Sequence, residues 1–107
     1  MFWVEEWMLP SFVIIGAMKG GTTSLHRYIA SHPNVVTSSI KETDFFRSAK
    51  DYSKGIDWYE SLFEGSGTYA FEASTNYTMR HKFPGVPERM HSVLPNAKLI
   101  YLLRDPI

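Results

Sequence analysis

Between Gly16 and Thr23 the sequence reads Gly-Ala-Met-Lys-Gly-Gly-Thr-Thr, so Lys19, Gly20 and Gly21 run directly into the hydroxyls of Thr22, Thr23 and Ser24. Gly16 and Gly21 stand at the G-x-x-x-x-G spacing of a loop that wraps an anion between a strand and a helix. Glycines permit the positive backbone angles that turn successive N–H groups inward, and a helix starting near Thr22 aims its free amides and dipole at the same point. Lys19 supplies an ammonium charge. In a nucleoside triphosphatase loop the lysine directly follows the second glycine, whereas Thr22 holds that place here and Lys19 comes earlier. This order weakens a nucleotide kinase or triphosphatase reading, which also needs magnesium ligands. Two further groups could do chemistry. Glu42 lies in a polar stretch, where a glutamate is ordinarily solvated, just before Phe45-Phe46, which could partly bury it and raise its pKa. Arg104 follows an apolar run, and its guanidinium suits a phosphate through paired donors.

These groups need elements to hold them. Residues 12–15, Phe-Val-Ile-Ile closed by Gly16, form the continuous apolar run of a strand buried on both faces of a parallel sheet. Leu25, Tyr28 and Ile29 fall at helical spacing over 22–31, before Pro33 blocks continuation. Residues 35–37 predict a short strand. Ile56, Tyr59, Leu62 and Phe63 recur at three and four, predicting a second amphipathic helix stopped by Gly65 and Gly67. Residues 68–72 predict another strand. Pro84-Gly85-Val86-Pro87 opens a third helix with Val86, Met90, Val93 and Leu94 on one face. Residues 98–103 predict a last, buried strand, after which Arg104-Asp-Pro-Ile107 ends the sequence. Strands alternating with helices define the α/β class, here a P-loop-like parallel sheet flanked by helices on both faces. A buried last strand needs cover on both faces, which leads to the expectation of an apparently truncated fold with more chain beyond Ile107.

The 107 residues contain 11 Lys and Arg against 11 Asp and Glu, so no overall field draws the chain to nucleic acid or an anionic membrane, and any anion site is local. There is no cysteine, which excludes a disulfide framework and a thiolate metal site. No apolar run in this segment is long enough to span a bilayer, and Glu5 and Glu6 stand where a signal peptide would be basic. His26, His81 and His91 show no metal-ligand spacing among themselves or with nearby carboxylates. Trp58 and Tyr59 read as core, His32 as a capping or packing residue, and Lys41 as a solvated lysine. Asn76 and Tyr77, after a strand end, fit a turn or a ligand contact equally.

The order Lys19, Gly21, Thr22, Thr23, Leu25 resembles the phosphosulfate-binding loop of sulfotransferases. Within that superfamily the chain is similar to the heparan sulfate N- and 3-O-sulfotransferase type. The matching segments are Phe12-Val-Ile-Ile-Gly with the anion loop, Ser31-His-Pro-Asn-Val35, Lys41-Glu42-Thr-Asp-Phe-Phe46, Tyr52-Ser-Lys-Gly-Ile-Asp-Trp-Tyr59, Glu72-Ala-Ser-Thr-Asn-Tyr77 and Lys98-Leu-Ile-Tyr-Leu-Leu-Arg-Asp-Pro106. Thr43 and Asp44 stand where vertebrate members commonly carry proline and histidine, and Ala73 where they carry lysine, so the pattern is closer to bacterial members. The resemblance implies that residues 1–107 are the N-terminal part of a single sulfotransferase domain. It implies 3′-phosphoadenosine 5′-phosphosulfate (PAPS) as sulfuryl donor, held by Lys19, Gly20, Gly21, Thr22, Thr23 and Ser24, with Arg104 on its 3′-phosphate. It also implies catalytic roles for Glu42, as base on a hydroxyl or amine acceptor, and for Lys19, on the departing phosphate. The acceptor would be a carbohydrate or small metabolite, and no metal is called for. A non-catalytic nucleotide-binding domain is the alternative that truncation suggests. The expected compartment is cytoplasmic for a bacterial chain, and the sequence specifies no oligomeric state.

Overall fold

The computed structural model describes residues 8–16, 22–65, 67–79 and 81–101. Four strands, β1 (Phe12–Gly16), β2 (Val35–Thr37), β3 (Tyr69–Ala73) and β4 (Lys98–Tyr101), form one sheet in the order β2-β3-β1-β4. All three pairings are parallel, with Phe12 opposite Phe71 and Lys98, and Val35 opposite Tyr69. Every strand therefore delivers its carboxyl end to the same edge, where open parallel sheets bind ligands.

Alternation along β1 and β3 divides the core into two layers. Val13 and Ala70 face a layer with Phe45, Phe46, Tyr59, Phe63, Tyr77, Val86 and Met90, whereas Ile14 and Phe71 face Leu25 and Ile29. The second layer belongs to helix α1 (Thr22–Ala30). The first is covered by α3 (Ile56–Ser61) and α4 (Val86–Val93), so helices lie on both faces as the α/β pattern predicts. Aromatic packing dominates the larger layer. Phe45 stacks on Tyr59 with centroids 4.4 Å apart, and Phe46 meets the Tyr59 ring edge-on at 5.1 Å. Full burial of each such side chain stabilises the fold by about 1.5–3 kcal/mol.

A short helix, α2 (Ala49–Tyr52), was not expected from periodicity. Its start is a reciprocal cap: the Ser48 hydroxyl accepts the Asp51 N–H at 3.1 Å and donates to the Asp51 carboxylate at 2.8 Å. Three expectations about burial are corrected. Tyr28, assigned to the apolar face of α1, is 78% exposed because Leu25 and Ile29 already fill the contact with the sheet. Ile56, at the first turn of α3, is exposed while Tyr59 one turn later is fully buried. Among the described residues the last strand, expected to be buried, stands at the edge of the sheet, paired with β1 alone, with Leu99 55% and Tyr101 47% exposed. Residues 102 and 103 of that expected strand lie outside the described residues.

Candidate active site at the carboxyl edge of the sheet

At the carboxyl end of β1 the strand closes on Gly16, and α1 begins at Thr22, so the sheet edge and the helix N-terminus flank the segment that carries the anion motif. Lys19, Gly20 and Gly21 lie outside the described residues, as does Arg104. Thr22 and Thr23 are the first two residues of α1, and Ser24 is exposed on it. Gly16 has a packing reason of its own. A Cβ at this position would come within 2.9 Å of the Tyr101 ring and 3.3 Å of the Thr78 hydroxyl. The absence of a side chain thus lets the ends of β4 and of the segment after β3 close on the end of β1.

Glu42 arrives at the same edge from the segment after β2. Its Oε1 atom accepts the backbone N–H of Thr75 and the Thr75 hydroxyl, each at 3.0 Å. Thr75 opens the 3-10 turn Thr75–Thr78 that follows β3. Glu42 Oε1 is thus anchored at both the backbone and the side chain of Thr75, and Oε2 has no hydrogen-bond partner among the described residues. Glu42 is exposed, and Phe45 and Phe46 do not bury it in the way the sequence suggested they could. Those two rings are fully buried among Tyr59, Tyr52 and Tyr77 instead.

Asp44 has a φ of +51°, in the left-handed region where few residues other than glycine, asparagine and aspartate sit without cost. Its carboxylate accepts from Asn76 at 3.3 Å and from Arg47 at 3.3 Å. Burial pushes the Asp44 carboxyl up from its ordinary pKa, against the opposing pull of Asn76 and Arg47. Asn76 therefore has a structural role here, bracing the segment after Glu42.

Beneath this edge lies a group that the sequence reading left without a role. Glu72, on β3, is fully buried. Its Oε1 accepts from Thr43 at 2.7 Å, Ser74 at 2.6 Å and Tyr77 at 3.2 Å, while Oε2 accepts from Tyr77 at 3.1 Å and from the Tyr59 hydroxyl. Burial raises the Glu72 carboxyl above its ordinary pKa, and the hydroxyls of Ser74, Tyr59, Thr43 and Tyr77 offset part of that rise. The Tyr59 and Tyr77 phenols are pushed well up, by burial and then by the Glu72 charge. A glutamate inside the otherwise apolar Tyr-Ala-Phe-Glu-Ala strand, next to Ser74 and Thr75, was the signal available in the sequence.

Other polar and aromatic groups named in the sequence have structural contacts. His26 shares a 3.0 Å hydrogen bond with Thr37 at the end of β2 and tilts over Phe71; burial, then the charge of Lys41, lowers its pKa. His32 accepts the Asn34 N–H on Nδ1 at 3.2 Å, in keeping with its reading as a capping residue. Trp58 is half-buried against the core, with the Lys54 ammonium 4.6 Å from its ring centroid. No helix among the described residues is long and apolar enough to cross a membrane.

One edge of a parallel α/β sheet thus carries the Glu42 carboxylate tethered to Thr75, beside the strand end and the helix start that flank the glycine-rich sequence motif. The chain belongs to the sulfotransferase domain family, whose pattern it matches over residues 9–107. It is 37% identical over 103 residues to the bifunctional heparan sulfate N-deacetylase/N-sulfotransferase 1 of Caenorhabditis elegans, a match covering 92% of this chain and 12% of that protein. It is 40% identical over 104 residues to the membrane-associated sulfotransferase kil1 of Dictyostelium discoideum, covering 92% of this chain and 21% of that protein. The crystal structure of a sulfotransferase from Alicyclobacillus acidocaldarius superposes with a TM-score of 0.69 at 29% identity, covering 88% of this chain and 44% of that one. The chain thus spans less than half the length of each of these relatives.

Proposed function

We propose that this chain contributes to sulfuryl transfer from PAPS to a hydroxyl or amine of a carbohydrate or small metabolite, as the N-terminal part of a single sulfotransferase domain. Membership in the sulfotransferase family supports the class, and the names of its heparan sulfate N-sulfotransferase relatives support a carbohydrate acceptor. The single observation that carries the reading is Glu42, tethered through one oxygen by Thr75 at the carboxyl edge of the sheet, the edge from which the Lys19 loop also departs. The start of α1 right after that segment fits an anionic donor, because the first-turn amides of a helix have no intrahelical partners and favour an anion.

In this reading Lys19, Gly20, Gly21, Thr22, Thr23 and Ser24 hold the 5′-phosphosulfate and Arg104 holds the 3′-phosphate. The donor supplies a sulfuryl group whose bond to the bridging phosphate oxygen breaks as a bond to the acceptor oxygen or nitrogen forms, the electron pair leaving with 3′,5′-adenosine bisphosphate. Glu42 takes the acceptor's proton on Oε2. Lys19 offsets the negative charge that gathers on the leaving phosphate. No residue has to form a covalent bond.

Titration calorimetry tests the donor class. Binding of 3′,5′-adenosine bisphosphate without added metal is the expected result. Tight, magnesium-dependent binding of ATP with no affinity for the bisphosphate would instead point to a phosphoryl-transfer site.

A further inference from the structure

We infer that Glu72 is a positioning residue for Glu42, acting as a buried anion around which the chain on both sides of the Glu42–Thr75 contact is wound. Thr43 directly follows Glu42 and Ser74 directly precedes Thr75, and both donate to the same Glu72 oxygen, at 2.7 and 2.6 Å. Each end of the tether is thus one residue from a single carboxylate atom.

The hydroxyls also relay that carboxylate to the backbone. Three consecutive amides end on them: Asp44 N–H on Ser74 Oγ at 3.1 Å, Phe45 N–H on Thr43 Oγ1 at 3.2 Å and Phe46 N–H on the Tyr77 hydroxyl at 3.3 Å. A hydroxyl has one hydrogen and two acceptor lone pairs, so each can receive an amide while spending its hydrogen on Glu72. An ionised carboxylate offers about four lone-pair sites and no donor, which suits a cage of four hydroxyls. Consecutive amides converge in this way because Asp44 adopts a left-handed conformation. Burial raises the cost of keeping this carboxyl charged, and the donors of the cage work against that cost. A glutamine at this position would aim two donors into a site already lined with donors.

The consequence for turnover rests on Glu42 being the proton acceptor, but the geometry is testable apart from it. In proton–nitrogen correlation spectra recorded across pH, the Thr75 amide should move as Glu42 titrates, and Glu42→Gln should abolish that movement, which assigns it. In Glu72→Gln the movement should fall by half or more, and the amides of Asp44, Phe45 and Phe46 should shift together. A Thr75 amide that titrates as in the parent, with those three amides unmoved, overturns the inference. If Glu72→Gln does not fold, Ser74→Ala takes its place: reduced Thr75 movement and a displaced Asp44 amide are expected, and an unchanged pair overturns the inference.

In turnover per folded molecule, Glu72→Gln should lower kcat on the order of a hundredfold, the effect of a misplacement of about 1 Å, without weakening 3′,5′-adenosine bisphosphate binding. Parent-like kcat in that variant beside a dead Glu42→Gln overturns the positioning role. If Glu42→Gln itself keeps its kcat, it is the proton-acceptor reading that fails, and the Thr75 titration still decides the role of Glu72.

Discussion

Glu42 accepts both the N–H and the hydroxyl of Thr75 on one oxygen, at 3.0 Å each, so the side chain of Thr75 supplies half of a tether whose other half is backbone. Thr75→Val keeps the β-branched shape and the N–H but removes the hydroxyl. Turnover should drop roughly threefold to tenfold, as expected for one partly exposed hydrogen bond to a charged group, while thermal stability changes by less than about 0.5 kcal/mol. Steady-state kinetics alongside a melting curve checks this. An unchanged kcat would show that the backbone bond alone holds Glu42.

On the proposed function, in which one Lys19 charge serves both bound nucleotide and leaving phosphate, Lys19→Ala should weaken 3′,5′-adenosine bisphosphate binding and turnover together. Loss of a charged hydrogen-bonding partner worth about 1.5–3 kcal/mol corresponds to roughly a tenfold to hundredfold rise in Kd. Calorimetry at two salt concentrations provides the measurement. A parent-like Kd would remove Lys19 from the anion site.

Arg89 reaches from α4 to the carbonyls of Phe46 at 2.9 Å, Arg47 at 3.0 Å and Pro84 at 2.8 Å, fastening the segment after Glu42 to the helix beneath it. Arg89→Met should lower the unfolding free energy by about 1–3 kcal/mol, since it leaves these carbonyls without their donor. Gly85→Ala should also destabilise: its φ is +85°, and an added Cβ would sit 2.6 Å from the Arg89 guanidinium. Urea titrations of the two variants and their double mutant should show less than additive losses, because both disturb the same guanidinium.

Stability should depend on pH through Asp51. Burial acts to raise its carboxyl, but hydrogen bonds from Arg47 and Ser48 and the charges of Arg47 and Lys54 outweigh it and hold the pKa below the ordinary 3.8. The folded state therefore releases this proton more readily than the unfolded chain. The resulting stabilisation is complete above the ordinary value and disappears as pH falls through the lowered one. The difference in melting temperature between the parent and Asp51→Asn should be constant near neutral pH and shrink only in strong acid. A difference that shrank already between pH 7 and 5 would contradict it.

Much of the scaffold was legible because its signals are local. The apolar run at β1 and the three-and-four spacing on α3 and α4 each announce one element without help from distant residues. What depended on distant neighbours was misread. The Lys98–Tyr101 run is as apolar as an internal strand, but its exposure is decided by what packs beside it, and apolarity cannot report that. Phe45 and Phe46 were read as able to bury part of Glu42 because they are near it in sequence. The left-handed turn at Asp44 sends them into the core and leaves the carboxylate in the open. Glu72 went unassigned because a lone glutamate is ordinarily solvated, and its four hydroxyl partners come from three separate stretches of chain. The Ser48 and Asp51 pair was a readable cap signal that periodicity alone overlooked.

The positive φ at Asp44 has a consequence for which substitutions the protein can tolerate. A library carrying every amino acid at position 44, selected only for folding, should retain glycine, asparagine and aspartate and lose valine, isoleucine and threonine, whose branched Cβ collides with its own backbone there. Selection that also demanded catalysis would narrow the survivors further if the carboxylate itself matters. The gap between the two surviving sets would measure how much of Asp44 is retained for its backbone shape and how much for its charge.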